Sequence, residues 1–417
     1  MKKPLALAGA LLLLSGAPAL RAQSETKPPA FGISFSGYVR TDLIYDTRQT
    51  VNLREGHFLI YPKPESLDKD GRDVNAAPSF HMLSIQTRLQ GKISGPDAFG
   101  AKTSGLIEGE FFGMADTDIN GFRLRHAYVK LNWTGTELLV GQYWHPMFIA
   151  ESYPDVVSFN TGAPFQPFNR SPQVRLTQAL GPLTLIATAV AQRDFTSNGP
   201  DGASSAYARN AAVPEFNLRA QYASKLESGG ELLMGLGGDL LTVKPRLVTT
   251  AGYKADETLT SGAGMAYFKL RTRDVTLKAE AVYGGNLHHL TMLGGYAVRT
   301  VTDPARGLET YVPLNTASAW AEIQTNGDTV QAGLFAGYSK NLGAGTAIGG
   351  ASYARGNNID RLLRIAPRLI VNSGKLRLAV EAEYTAAAYG TPDVNGVVRG
   401  ASVVADGRLL GAVTYLF

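Results

Sequence analysis

The sequence predicts an all-β fold, specifically a transmembrane antiparallel β-barrel of sixteen strands. Three observations carry this. Successive runs alternate between an apolar and a polar face, the connections between them alternate between short and long, and after residue 22 no stretch approaches the ~18 apolar residues that a spanning helix needs. A bilayer offers backbone groups no water, so a chain without such helices can cross it only as a closed barrel.

The chain opens on a targeting pattern. Lys2 and Lys3 precede an apolar run from Leu5 to Leu14, and small residues follow at Ala17-Pro18-Ala19 and Leu20-Arg21-Ala22. Residues 1–22 read as a secretory signal peptide, 23–30 as a short lead, and 31–417 as one barrel domain. The net charge of +5 includes Lys2, Lys3 and Arg21, so cleavage after Ala22 leaves 5 − 3 = +2. The basic balance therefore gives little reason to expect nucleic acid as a partner. Cysteine is absent, which removes disulfides, lipid-anchor thiols and thiolate metal sites.

The alternating runs come next. Phe35 to Asp46 sets Val39, Leu43 and Tyr45 against Tyr38, Arg40 and Asp42. Phe80 to Ile93 sets Leu83, Ile85, Leu89 and Ile93 against Ser84, Gln86, Arg88 and Gln90. Arg361 to Val371 and Lys375 to Thr385 repeat the pattern, with a bulge expected at Pro367 because proline supplies no ladder donor. Phe122 to Trp133 turns apolar on both faces, the mark of a bulge or of subunit burial. Ala187, Ala189 and Ala191 with Ile186 and Val190 are also apolar on both sides and are candidates for a subunit contact.

A soluble sandwich would alternate as well, so the connections decide. Short ones fall at Ser94–Thr103, Thr134-Gly135, Gly181-Pro182, Leu226–Gly229, Arg273-Asp274, Asn326-Gly327 and Ser373-Gly374. Long ones occupy 47–79, 145–170, 195–213, 244–258, 286–314, 341–358 and 389–401, with a brief one at 115–120. Short turns at the periplasmic rim and long loops at the extracellular rim are what a membrane barrel requires. Eight long loops and seven short turns join sixteen strands; if His289–Arg299 and Gly345–Tyr353 also span, the count becomes eighteen.

The third long loop, 145–170, is aromatic, proline-rich and aperiodic, and is expected to fold into the lumen as a constriction. Trp144, His145, Phe148, Tyr153, Phe165 and Phe168 would form its aromatic patch, with Glu151, Asp155 and Arg170 as its charges. Polar faces of the strands would place Arg40, Arg88, Arg175, Arg219, Arg271, Arg364, Arg368 and Arg377 along the bore, joined by Arg123 and Arg125. Two readings of this wall stand side by side: an anion-preferring path, or a charge-balanced lumen whose arginines pair with carboxylates. Glu151 and Asp155 are expected to face Arg88, Arg123 and Arg125 across the constriction.

The chain ends on Phe417 after Leu409, Gly411, Val413 and Tyr415 at every second position. That ending resembles the assembly signal of Gram-negative outer-membrane barrels, and the mature chain resembles a porin. More narrowly, Gly37-Tyr38-Val39-Arg40-Thr41-Asp42-Leu43-Ile44-Tyr45-Asp46 and Gly141-Gln142-Tyr143-Trp144 resemble segments of the DcaP-like outer-membrane porins. The resemblance implies a homotrimer in outer-membrane lipid that passes small anionic organic solutes. It departs from the family where some members carry an N-terminal coiled coil, for which Gln23–Ala30 is too short.

No catalytic motif stands out, so no enzyme is expected, and no cofactor is implied. The six histidines lack helical i, i+4 spacing; no metal site is expected of them, and His288-His289 is read as solvated in an outer loop. The functional expectation is passive diffusion of small hydrophilic solutes. A non-conducting structural or adhesive outer-membrane barrel is the alternative, with a barrel enzyme ranked behind it.

Overall fold

The computed structural model describes residues 31–227 and 229–417; the expected signal peptide and lead, 1–30, fall outside the described residues. Sixteen antiparallel strands form one ring. They are β1 (Gly32–Asp46), β2 (Ser79–Leu83, resumed as Arg88–Ser94), β3 (Lys102–Glu110), β4 (Arg123–Trp133), β5 (Thr136–Trp144) and β6 (Arg170–Leu180). β7 (Leu183–Val190), β8 (Glu215–Lys225), β9 (Glu231–Val243), β10 (Leu259–Arg271) and β11 (Val275–Gly285) follow. β12 (Leu308–Thr325), β13 (Val330–Gly343), β14 (Ile359–Ser373), β15 (Leu376–Pro392) and β16 (Val398–Leu416) complete the wall. Closure comes from β16 lying against β1, from Tyr38 opposite Leu416 to Asp46 opposite Arg408, with Gly37 and Phe417 exchanging backbone hydrogen bonds of 3.2 and 3.1 Å.

Period-two alternation produces the wall. In β1, β14 and β15 the apolar set, including Val39, Leu43, Ile365, Leu369, Leu378 and Val380, is exposed on the outer face, while Asp42, Arg364, Arg368 and Glu381 are buried inside. The expected rim asymmetry is present: all seven short turns join neighbouring strands at one rim, and the long connections lie at the other. The two additional segments do not span. Gly294–Asp303 pairs with the upper end of β12 and with Ser352–Arg355, so both extend the wall beyond the ring and the count is sixteen. Among the described residues no helix is long and apolar enough to cross a membrane.

Two local expectations need correction, and a third takes one of its two expected forms. Pro367 sits opposite Leu334 without a register shift, because the ladder tolerates one missing donor; the irregularity in β14 lies at Ile359/Arg361 instead. The run Phe80 to Ile93 is not one continuous alternation. Tyr38 to Asp42 faces Arg88 to Leu83, five steps of chain against four, and this inserted residue reverses the sides. Phe80, Met82 and Leu89 therefore face outward, whereas Ile85 is buried inside and Leu83 packs against the interior cluster. In β4 the bulge is present: the partners jump from His126 to Leu124, and the extra residue at Arg125 turns Arg123, Arg125 and His126 all inward.

Two loops fill the ring. The first, between β1 and β2, folds as a hairpin (Thr50–Leu53 with Phe58–Pro62) whose Phe58, Leu59 and Ile60 are buried. The third, between β5 and β6, crosses the lumen, and its Phe165 packs near Phe335 of the far wall, where Gly337 leaves the space the ring occupies. Both loops share one apolar cluster with Trp320 and Ala366.

Candidate functional site: the constricted lumen

The inward loop is held by its backbone. Charged side chains from strands around the ring reach in and bind peptide groups: Arg175 donates to the carbonyl of Trp144 at 2.7 Å, Arg219 to Pro146 at 3.3 Å, Lys269 to Glu151 at 2.9 Å and Lys278 to Tyr153 at 3.0 Å. Further round, Arg364 donates to Ala163 at 2.8 Å and also to Ile60 of the first loop at 3.0 Å, and Arg40 donates to Val157 at 2.6 Å. Carboxylates take the opposite polarity. Glu322 accepts the amide of Asp155, and Glu381 accepts those of Val157 and Ser158 at 2.8 and 2.9 Å. An irregular segment inside a barrel must satisfy its peptide groups somewhere, and here the wall does it.

This changes the roles of the arginines expected along the bore. Arg40, Arg88, Arg125 and Arg377 line a central cavity of about 670 Å³, and Arg271 lines a second of about 320 Å³ with Glu151 and Lys269. Arg123, Arg175, Arg219, Arg364 and Arg368 also point inward, but they are buried beneath loops or in ion pairs, with exposures of 1–8%. Their fixed guanidinium forks serve carbonyls and carboxylates of the protein itself.

Glu151 and Asp155, expected to face Arg88, Arg123 and Arg125 across the constriction, form no ion pair with them. Those arginines are instead ion-paired on the wall with Glu108 and Glu110 of β3. Glu110, fully buried, lies 2.7 Å from Arg123, 2.6 Å from Arg125 and 3.2 Å from Arg88, and Glu108 lies 2.6 Å from Arg125. Arg170 joins the same group through Asp194 at 2.6 Å and lies 3.7 Å from Glu110. Asp155 instead binds Lys278 at 2.6 Å, with Gln324 donating to the same oxygen. Burial works to raise its carboxyl, but the Lys278 ammonium and these hydrogen bonds outweigh burial and hold it below the usual carboxylate range. Asp155 does share the central cavity with Arg88 and Arg125, so charges of both signs line it, whereas Glu151 lines the second cavity.

The aromatic patch is real but differently composed. Trp144 and Phe148 stack with centroids 3.9 Å apart, Tyr153 stacks on Phe148 at 5.3 Å, and Phe168 meets Trp144 edge-on at 5.3 Å. Each such pair is worth about 0.5–1.5 kcal/mol beyond the area it buries. Arg125 lies over the Trp144 ring at 5.7 Å. Phe165 lies deeper, against the far wall, and His145 belongs elsewhere: it is buried and hydrogen-bonded to Glu215 at 3.0 Å. His289, expected in solvent, is also buried and bonded to Glu215 at 2.8 Å. The 286–307 connection folds down over the lumen, with Leu290 accepting the Phe168 amide, and so removes that histidine from water.

Glu108, Glu110 and Glu215 went unmarked in the sequence. Alternation alone places Glu108 and Glu110 inward beside Leu106-Ile107, so that signal was available; Glu215 opens β8 after a long loop and carries none.

No sequence-family model matches the chain, and no curated protein sequence does. Solved structures do. The chain is similar to the outer membrane channel DcaP of Acinetobacter baumannii at 18% identity and a TM-score of 0.67, over 93% of this chain and 97% of that one. It is similar to OmpT, an outer membrane protein of Vibrio cholerae, at 11% identity and a TM-score of 0.55, over 94% and 100%. An anion-selective porin from Comamonas acidovorans matches at 10% identity and a TM-score of 0.52, over 93% and 100%. At these identities the likeness is one of fold, and the fold of this chain is the closed β-barrel of outer-membrane channels and porins.

Proposed function

We propose that the chain is a passive diffusion channel in the outer membrane of a Gram-negative bacterium, admitting small hydrophilic solutes with a preference for organic anions. The observation that carries the reading is the central cavity, lined together by Arg40, Arg88, Arg125 and Arg377 and by the Trp144–Phe148–Tyr153 stack. Arg40 pairs with Asp42, and Arg88 and Arg125 with Glu108 and Glu110, but Arg377 has no acidic partner among the described residues; its Nε donates to Asn372 at 2.8 Å. A positive excess at a water-filled constriction favours anions. The Comamonas fold relative, described as anion-selective, supports the same direction. Reversal potential in a salt gradient across a planar bilayer tests it: an anion-selective sign is expected, and a cation-selective sign ends the anion preference while leaving the channel.

A homotrimeric assembly belongs to the same proposal. OmpT is known in a trimer form, and the outward Leu185, Ala187 and Ala189 of β7 offer a flat apolar strip.

A non-conducting barrel is the second reading. The buried first-loop hairpin favours it, since Phe58–Ile60 adds to the mass already filling the ring. Swelling of reconstituted liposomes in sugar or amino-acid solutions separates the two; a conducting barrel swells and a plugged one does not.

A further inference from the structure

His145, Glu215 and His289 come from three separate elements: the start of the inward loop, the first residue of β8, and the connection that folds over the lumen from β11. All three are buried, at 0, 3 and 2% exposure. Both histidine Nε2 atoms point at the same oxygen, Glu215 Oε1, from 3.0 and 2.8 Å, and the ligand atoms of the trio lie within 4.8 Å of one another. Around them Met147, Ile149, Leu287, Leu290 and Met292 form an apolar sheath.

Two imidazole N–H groups donating to one carboxylate oxygen would account for part of this, but not for all of it. Glu215 Oε2 and His289 Nδ1 are buried with no hydrogen-bond partner among the described residues. Two imidazoles and an under-satisfied carboxylate converging in a dry pocket form a donor set suited to a borderline-soft cation, and a cation would engage the oxygen that hydrogen bonds leave idle.

We propose that His145, Glu215 and His289 bind one divalent transition-metal ion of the zinc class, fastening the inward loop to the wall and to the overlying loop. Tetrahedral coordination at ~2.0–2.2 Å sets ligand atoms a little over 3 Å apart, so the two histidines need only draw together slightly. His145 Nδ1 accepts the Met147 amide at 3.2 Å, which leaves the proton on Nε2. Binding must release that proton or move it to Nδ1, so affinity falls as pH falls. The site is sealed, and the ion enters as the barrel folds.

The test refolds the full-length mature chain, without a histidine tag, in detergent with Co²⁺, then dialyses it and reads cobalt content and the visible d–d bands. One retained Co²⁺ per chain with tetrahedral-type absorption, displaced by Zn²⁺ added during refolding, is expected. His289→Gln and Glu215→Gln should each lower retention by roughly tenfold or more, the scale that even outer-shell changes reach. His57→Gln, a buried histidine bound to Asp42, should leave it unchanged. Heat-modifiable migration of each variant certifies folding. Folded wild-type protein that keeps no cobalt, or retention unaltered in His289→Gln, overturns the assignment. Either result leaves the channel reading standing, because conduction does not depend on the ion.

Discussion

The guanidinium of Arg364 donates to the carbonyl of Ala163 at 2.8 Å, carrying a charge from the far wall into the backbone of a loop that begins on the near one. The same side chain holds Ile60 of the first loop at 3.0 Å and the Thr385 hydroxyl at 2.9 Å. One residue thus ties both inward loops to β14.

Arg364→Ala should free both loops. It leaves two buried carbonyls without donors, a loss of about 2–6 kcal/mol when each unsatisfied group costs ~1–3. The expected result is a lower midpoint of heat modification on gels, together with larger and noisier single-channel currents.

Arg377→Gln should act on selectivity and leave stability alone. A unit charge about 4 Å from the path is worth ~1 kcal/mol in a water-like medium, up to about fivefold in permeability ratio. Reversal potentials should shift toward cations in Arg377→Gln. Arg175→Gln, which alters a side chain bound to the Trp144 carbonyl, should destabilise the loop with a smaller shift.

Acid should loosen the constriction at Asp155. Its carboxyl is depressed relative to the unfolded chain, so its contribution is fully present above the ordinary value near 3.8 and is lost as pH falls through the lower folded value. Conductance measured from pH 7 downward should stay flat to about pH 4 and change below it, since aspartate titrates near 3.9 when free. Asp155→Asn should show the low-pH behaviour throughout.

Gly141 should not tolerate a side chain. Its φ is +137°, and a Cβ there would meet the Ala127 carbonyl oxygen at 2.2 Å across β4. Gly141→Val should cost at least the ~1–3 kcal/mol of backbone strain plus the overlap, seen as poor refolding yield.

Much of the wall was legible because alternation and loop length are local properties. Leu378 and Val380 outside with Glu381 inside needed only a period of two, and the two segments beyond the ring followed from parity. Where a single residue was inserted, alternation reversed: no composition cue marks the break in β2, whereas Arg125 lies in a run that turns apolar on both faces. The lumen was less legible for a different reason. Arg175, Arg219 and Arg364 face inward as the pattern says, but whether a guanidinium meets solute or a peptide carbonyl depends on where a distant loop comes to rest. His289 shows the same limit, since its burial against Glu215 joins residues 74 positions apart.

The seam where β16 lies along β1 has a temporal meaning. Asp46 and Arg408, bonded at 2.7 Å, are separated by 362 positions, so the cylinder stays open until nearly the last residue has been delivered. Until then both margins carry unsatisfied amides and oily side chains, a hazard for clumping in any aqueous space the chain must traverse. Only the docking of β16 removes both margins at once.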